Sequence, residues 1–214
     1  MKYLKATILA AALAASAASS SVWAATAQSW NLARDMYLMT EGAPAGSPWS
    51  FMQNKGASNV PTSYTLLPTF DATACSDTPM TCWREAASRA YVAMVKQTYT
   101  FTGSGGTFVF KQGDVVTHPG INSQSIIRWT SPVSGNISVL GRVNDLHGSC
   151  GDGIAWSLNL EDTILQTGNL ANRGSSTFKA NDVAVTEGAA LYLVIDKKSN
   201  YSCDATSLDL IITN

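Results

Sequence analysis

Apolar and polar residues alternate with a period of two along much of the second half of the chain. Ile137, Val139 and Val143 are interleaved with Ser138 and Arg142, and Ile154, Trp156, Leu158 and Leu160 with Ala155, Ser157 and Asn159. Successive side chains of a strand point to opposite faces of a sheet, so this pattern predicts strands with one buried face and one wet face. Runs rich in β-branched and aromatic residues at 107–110, 125–130, 176–179, 191–196 and 207–213 continue it, set apart by Gly, Pro, Asn or Asp clusters. Short strands at such even spacing predict an all-β fold, a two-sheet antiparallel β-sandwich of jelly-roll type with at most one short helix. Residues 28–91 are less regular. Trp49-Ser50-Phe51 and Tyr64-Thr65-Leu66-Leu67 read as strands there, and Gly42-Ala43-Pro44, Gly46-Ser47-Pro48 and Pro61 as turns. The one helix-like window is 83–96, where the apolar spacing is poor and Tyr91-Val92-Ala93-Met94-Val95 reads equally well as a strand.

Composition narrows the function. The chain has 214 residues, of which 14% are charged, and 14 Lys and Arg balance 15 Asp and Glu. That balance supplies no electrostatic footprint for nucleic acid or an anionic membrane, so no nucleic-acid partner is expected. Lys2 and Lys5 precede an apolar run from Ala6 to Ala18 and the small-residue site Val22-Trp23-Ala24, which together predict a secretory signal peptide over 1–24. Ala27 is a second cleavage candidate. The run is too short, and too interrupted by Ser, for a membrane anchor, so the mature chain is expected to have no membrane span and to be secreted or periplasmic. No linker or low-complexity stretch divides residues 25–214, which are expected to form one domain, and no motif sets an oligomeric state.

Export makes the four cysteines a disulfide question, with three possible connectivities. Closing the short loop from Cys75 to Cys82 costs the least chain entropy and leaves Cys150 and Cys203 as a long-range pair. A four-Cys metal site is disfavoured because no C-x-x-C is present.

Four islands carry the remaining information: Pro48-Trp49-Ser50-Phe51, Val116-Thr117-His118-Pro119-Gly120, Arg128-Trp129-Thr130-Ser131-Pro132-Val133-Ser134-Gly135, and Cys150-Gly151-Asp152-Gly153 with Cys203-Asp204-Ala205-Thr206. In this order the set resembles a group of secreted bacterial β-sandwich domains, galactose-binding-like jelly rolls found as exported proteins or as modules of exoenzymes. The resemblance spans nearly all of the mature chain and implies that fold more than any activity. The chain departs from the group's pattern in the cysteine pair beside the Gly-Asp-Gly and Asp-x-Thr loops and in the Cys75 to Cys82 loop. The first departure implies that those two loops are stapled together.

The stapled loops have a chemistry of their own. Gly151 and Gly153 permit close backbone approach, and a Cys150–Cys203 bridge would gather Asn144, Asp145, Asp152, Asn200, Asp204 and Thr206 as oxygen ligands suited to Ca²⁺. Asp and Asn are also ordinary turn residues that bond local backbone, which is the alternative role for each of them. Trp49, Trp83, Tyr99 and Tyr201 lie in turn-rich sequence and are candidate platforms for stacking on a sugar ring, or rings that plug the end of a sandwich. Trp129 and Trp156 lie within strands and are expected in the core. His118 and His147 are the only histidines, and His118 is expected to bond backbone at a corner. Serine-hydrolase elbow, zinc-protease and P-loop motifs are missing from the sequence, and nothing places two of Glu41, Glu85, Glu161 and Glu187 across one cleft. Arg128 is expected on a solvated strand face. The leading expectation is an exported, non-catalytic protein that recognises carbohydrate or a surface glycan through end loops, with calcium ordering them. The alternatives are an adhesive or structural surface protein acting through protein contacts, and a secreted hydrolase.

Overall fold

Segments with a period of two become strands in the computed structural model, which describes residues 26–56, 59–73, 75, 78–103 and 106–214. The predicted leader over 1–24 lies outside these residues. The first half contributes β1 (Ser29–Asn31), α1 (Leu32–Leu38), β2 (Trp49–Asn54), β3 (Thr65–Leu66), β4 (Thr69–Asp71), β5 (Met80–Arg84), β6 (Tyr91–Val95), β7 (Tyr99–Gly103) and β8 (Gly106–Phe110). The second half contributes β9 (Val115–His118), β10 (Gln124–Thr130), β11 (Gly135–Asp145), β12 (Ile154–Leu160), β13 (Thr163–Asn169), β14 (Ser175–Val185), β15 (Ala190–Lys197) and β16 (Thr206–Thr213).

Strands β9 to β16 make a jelly roll by themselves. One layer runs β14-β11-β16-β9 and the other β13-β12-β15-β10, so the chain changes layer at every connection except the β12–β13 hairpin. All named pairings in both layers are antiparallel. The first half widens this frame: β6, β5 and β4 extend the first layer beyond β9, and β2 and β3 extend the second beyond β10. β1 shares an edge of β16 with β9, pairing with Ile211–Thr213 while β9 pairs with Thr206–Leu208.

The main core lies between the layers. Trp49 and Trp129 face each other across the β2–β10 register and are 2% and 0% exposed, and Ile137, Val139 and Val143 of β11 point into the same cluster. Trp156 is buried there too, stacked on Phe178 with ring centroids 4.9 Å apart.

The 83–96 window is not helical; it holds the end of β5, a turn and β6. Its poor periodicity has a physical cause. Val92 and Met94 enter the main core, whereas Ala93 and Val95 join a second cluster with Met80, Cys82, Phe110 and Val116 beneath the β7–β8 hairpin. A strand buried on both faces reads as a continuous apolar run. The one α-helix among the described residues is instead α1, in the segment with the least pattern. Asn31 caps it by accepting from the Arg34 N–H at 3.0 Å, and Leu32 and Met36, four residues apart, are fully buried in the main core.

Candidate functional site

One concavity is assembled from four connections. Residues 85–90 join β5 to β6 in a tight turn, held by Arg89 N–H donating to the Glu85 carbonyl at 2.8 Å and Glu85 N–H to the Ala90 carbonyl at 3.0 Å. Arg89 takes a φ of 66° to close it. The turn is anchored from outside by Ser88, whose hydroxyl donates to Gln53 at 2.8 Å and whose carbonyl accepts from Ile121. His118 at the end of β9, Cys75 of the Cys75–Cys82 loop, and Tyr201 to Cys203 between β15 and β16 complete the walls.

The result is a cleft of about 560 Å³ lined by Arg84, Glu85, Arg89, Tyr91, His118 and Tyr201 among others. Arg89 Nη1 donates to the Tyr201 hydroxyl at 3.4 Å, and Tyr201 is half-buried, with its ring 6.3 Å from that of His118. Arg84 is tied to Asp71 at 3.5 Å, and Glu85 faces Lys55 at 3.9 Å. Burial holds the His118 imidazole down, to about 4, against the opposing effect of the Pro119 carbonyl, so the ring is neutral at neutral pH. With Nδ1 donating to Pro119 O at 2.6 Å, Nε2 is left as an acceptor. Burial also raises the Tyr91 hydroxyl well above the usual tyrosine range. Of Glu41, Glu85, Glu161 and Glu187, the cleft lining includes Glu85 alone, so no two of these four meet there.

Beside the cleft lies the stapled loop. Cys150 and Cys203 are bridged, with Cα atoms 5.8 Å apart, as Cys75 and Cys82 are at 5.4 Å. Gly151 and Gly153 both have φ of 81°, and a Cβ on Gly151 would fall 2.5 Å from the Ser202 carbonyl. Only glycine permits that approach. Asp204 is fully buried, and neither of its oxygens has a hydrogen-bond partner; Asp145 Oδ2, Asp152 Oδ1 and Asn172 Oδ1 are likewise buried and unpartnered. Burial first, then the carboxylates of Asp145 and Asp152, push Asp204 up to about 8. Asp152 is pulled the other way, below the usual carboxylate range, by the Ser199 hydroxyl at 2.5 Å and the Ser199 N–H at 3.0 Å.

Not all the expected ligands gather there. Asn144 is engaged on the strand face with Ser207 and Ser175, Asn200 accepts from Ser202 N–H at 2.9 Å, and the Thr206 hydroxyl donates to the Asp204 carbonyl at 3.0 Å. Asn172 has no cue in its local sequence. Its amide donates to the Cys150 and Gly151 carbonyls at 2.9 and 3.3 Å, bracing the loop from the β13–β14 connection. Among the described residues, the acid, His or Cys ligand atoms that group within 4.8 Å of one another are those of His147, Cys150 and Cys203, and both sulfurs are spent in the disulfide. A cation at Asp204 would therefore draw on amide and carbonyl oxygens as well as carboxylates.

The four candidate stacking rings separate. Trp49 is in the core, its indole N–H donating to Asp35 at 2.8 Å, and Trp83 is 7% exposed between Phe51 and Phe70. Neither offers a face to a ligand. They lie in irregular sequence because they sit at strand ends, where large rings fill the end of the sandwich. Tyr99 is half-buried on β7 against the second cluster, and Tyr201 alone lines the cleft. Arg128 bonds the Thr130 hydroxyl at 3.0 Å.

No protein-family model matches this chain, and no curated protein is significantly similar to it. Among solved structures it is similar to CBM51 from the Clostridium perfringens GH95 protein in complex with methyl-galactose, at 15% identity over 55% of this chain and 81% of that one, TM-score 0.36. It is similar to CBM51-2 and INT domains of Clostridium perfringens ZmpB in complex with GlcNAc, at 10% identity over 69% of this chain and 30% of that one, TM-score 0.38. A family 35 carbohydrate binding module from Clostridium thermocellum matches at 13% identity over 58% of this chain and 91% of that one, TM-score 0.29. Likeness in outline at these scores says nothing about a ligand. Among the described residues, no helix is long and apolar enough to cross a membrane.

Proposed function

We propose that this chain is an exported, non-catalytic carbohydrate-binding protein whose site is the cleft between the 85–90 turn, His118 and Tyr201. The observation that carries the reading is the meeting of a half-buried Tyr201 ring with Arg84, Glu85, Arg89 and a neutral His118 on one concavity of about 560 Å³. A pyranose needs that combination: an aromatic face for its C–H side, and donors and acceptors at the rim for its hydroxyls. The volume is in the range of small-ligand sites, roughly 300–1,000 Å³. Calcium is part of the proposal. It would be held at Asp204 with the Asn172 amide oxygen and carbonyls of the stapled loop, and its charge would neutralise a buried carboxylate and fix the loop that carries Tyr201. The test is a glycan array probed with the oxidised chain in calcium and in EDTA. A specific signal that Tyr201→Ala removes is the expected result, and a blank array in both conditions overturns the reading.

A protein-contact role is favoured by one other feature. A groove of about 530 Å³ beside α1 is lined by Trp30, Leu38, Met39, Pro44 and Pro48, and Leu38 is 72% exposed. A blank array together with capture of a protein ligand that Leu38→Glu abolishes would establish that role.

A further inference from the structure

The polar cleft does not end at His118. It shares Cys75, Tyr91, His118 and Cys203 with a second cavity of about 300 Å³ that runs beneath the β7–β8 hairpin. The character of the walls changes across that shared boundary. Beyond it the lining is Met80 from β5 with Phe101, Phe108 and Phe110 from the hairpin, and His147. Phe101 and Phe108 stand 5.1 Å apart, Phe108 meets Phe110 edge-on at 4.9 Å, and His147 meets the Phe108 ring at 4.3 Å. The hairpin pairs only with itself, so it overlies the outer face of the β5–β6–β9 sheet through these rings and leaves the recess between. Phe101 and Phe108 remain half-buried, unlike Phe110 and Met80, which are closed over.

Resting on the carbohydrate reading, we propose that the ligand is a sugar bearing an apolar substituent, such as an aryl, alkyl or acyl group, with the ring in the polar cleft and the substituent in the phenylalanine recess. Two features argue for one joined molecule. The cavities share Tyr91, His118 and the two cysteines in their linings, so they lie side by side, within reach of a ring and its substituent on one molecule. Most of the recess lining is Met80, Ala205 and the three phenylalanine rings, which solvate a sugar hydroxyl poorly and an apolar group well. An unsubstituted sugar would leave that surface in water.

The test is calorimetric titration of the full oxidised chain with methyl, phenyl and n-hexyl β-D-glucosides and β-D-galactosides, with hexanol and phenol as sugar-free controls. For at least one sugar, the phenyl and hexyl glycosides should bind about tenfold tighter than the methyl glycoside, the gain expected from withdrawing a ring or short chain from water. Phe108→Trp, which fills the recess, should erase that gain and leave methyl-glycoside affinity unchanged. Met80→Phe fills it from the rigid β5 side and keeps the test sound should the hairpin variant misfold. Equal affinity for methyl and phenyl glycosides, or a gain that survives both filling variants, overturns the recess and leaves the carbohydrate site standing. Hexanol binding as tightly as hexyl glucoside overturns it as well. If no glycoside binds at all, both readings fall.

Discussion

Asp204 is buried near other carboxylates with no protein donor to either oxygen, an arrangement that a proton or a cation would relieve. Asn at this position keeps the shape and removes the charge. Asp204→Asn is therefore expected to raise stability in EDTA by about 1–3 kcal/mol and to abolish any calcium-dependent rise in melting temperature. Thermal melts of both proteins with and without calcium decide it, and an equal calcium shift in the variant would remove Asp204 from the site. His118 acts in the opposite direction on pH. Its folded value, about 4, is depressed below the ordinary 6.5, so the stability it contributes is present above about pH 6.5 and lost as pH falls towards 4. Tyr91 and Tyr201 face the ring, and the charge of His147 adds to the depression. His118→Asn, which can keep a donor to the Pro119 carbonyl, should unfold in urea with a flatter acid limb than the parent between pH 6.5 and 4. Parallel acid limbs would show that the imidazole is not the group responsible.

Among the elements, the two disulfides differ in how much chain they close, 53 residues between Cys150 and Cys203 against 7 between Cys75 and Cys82. Chain entropy assigns about 4 kcal/mol to the long bridge and about 2 kcal/mol to the short one. Denaturation of the two double-serine variants should rank them in that order. The long bridge should also carry the ligand site, because it ties the loop bearing Tyr201 and Asp204 to Cys150; an unchanged glycan signal in Cys150→Ser/Cys203→Ser would contradict this. Recognition of elements from sequence depended on their faces. β11 and β12 alternate because one face is wet, and they read correctly. β6 does not alternate, because the hairpin covers its outer side, and its sequence reads equally as helix or strand. β13 has no fully buried residue, and α1 offers only Leu32 and Met36 as a signal, so neither stood out from loop.

At the scale of the whole molecule, the jelly roll of β9 to β16 separates rings that support the fold from a ring that can meet a ligand. Trp83 is packed between Phe51 and Phe70, so Trp83→Ala should cost about 3–5 kcal/mol in urea denaturation, while Tyr201→Ala at the cleft should stay within about 0.5 kcal/mol. The reverse ranking would mean that the cleft is part of the core.

The sequence alone determined what depends on near neighbours: strands whose alternation marks a buried face, the two-layer architecture, the shorter disulfide loop, and the glycine-flanked acid at Asp152. The tertiary structure decided what depends on the second face of each element and on residues remote in the chain. Burial of Trp49 and Trp83 beside a half-open Tyr201 follows from what packs on each ring, which composition does not contain. The cleft joins Cys75, Arg89, His118 and Tyr201 from four separate connections, and the brace from Asn172 crosses 22 residues to Cys150. Such meetings are set by the path of the chain between the layers, and local pattern carries no record of them.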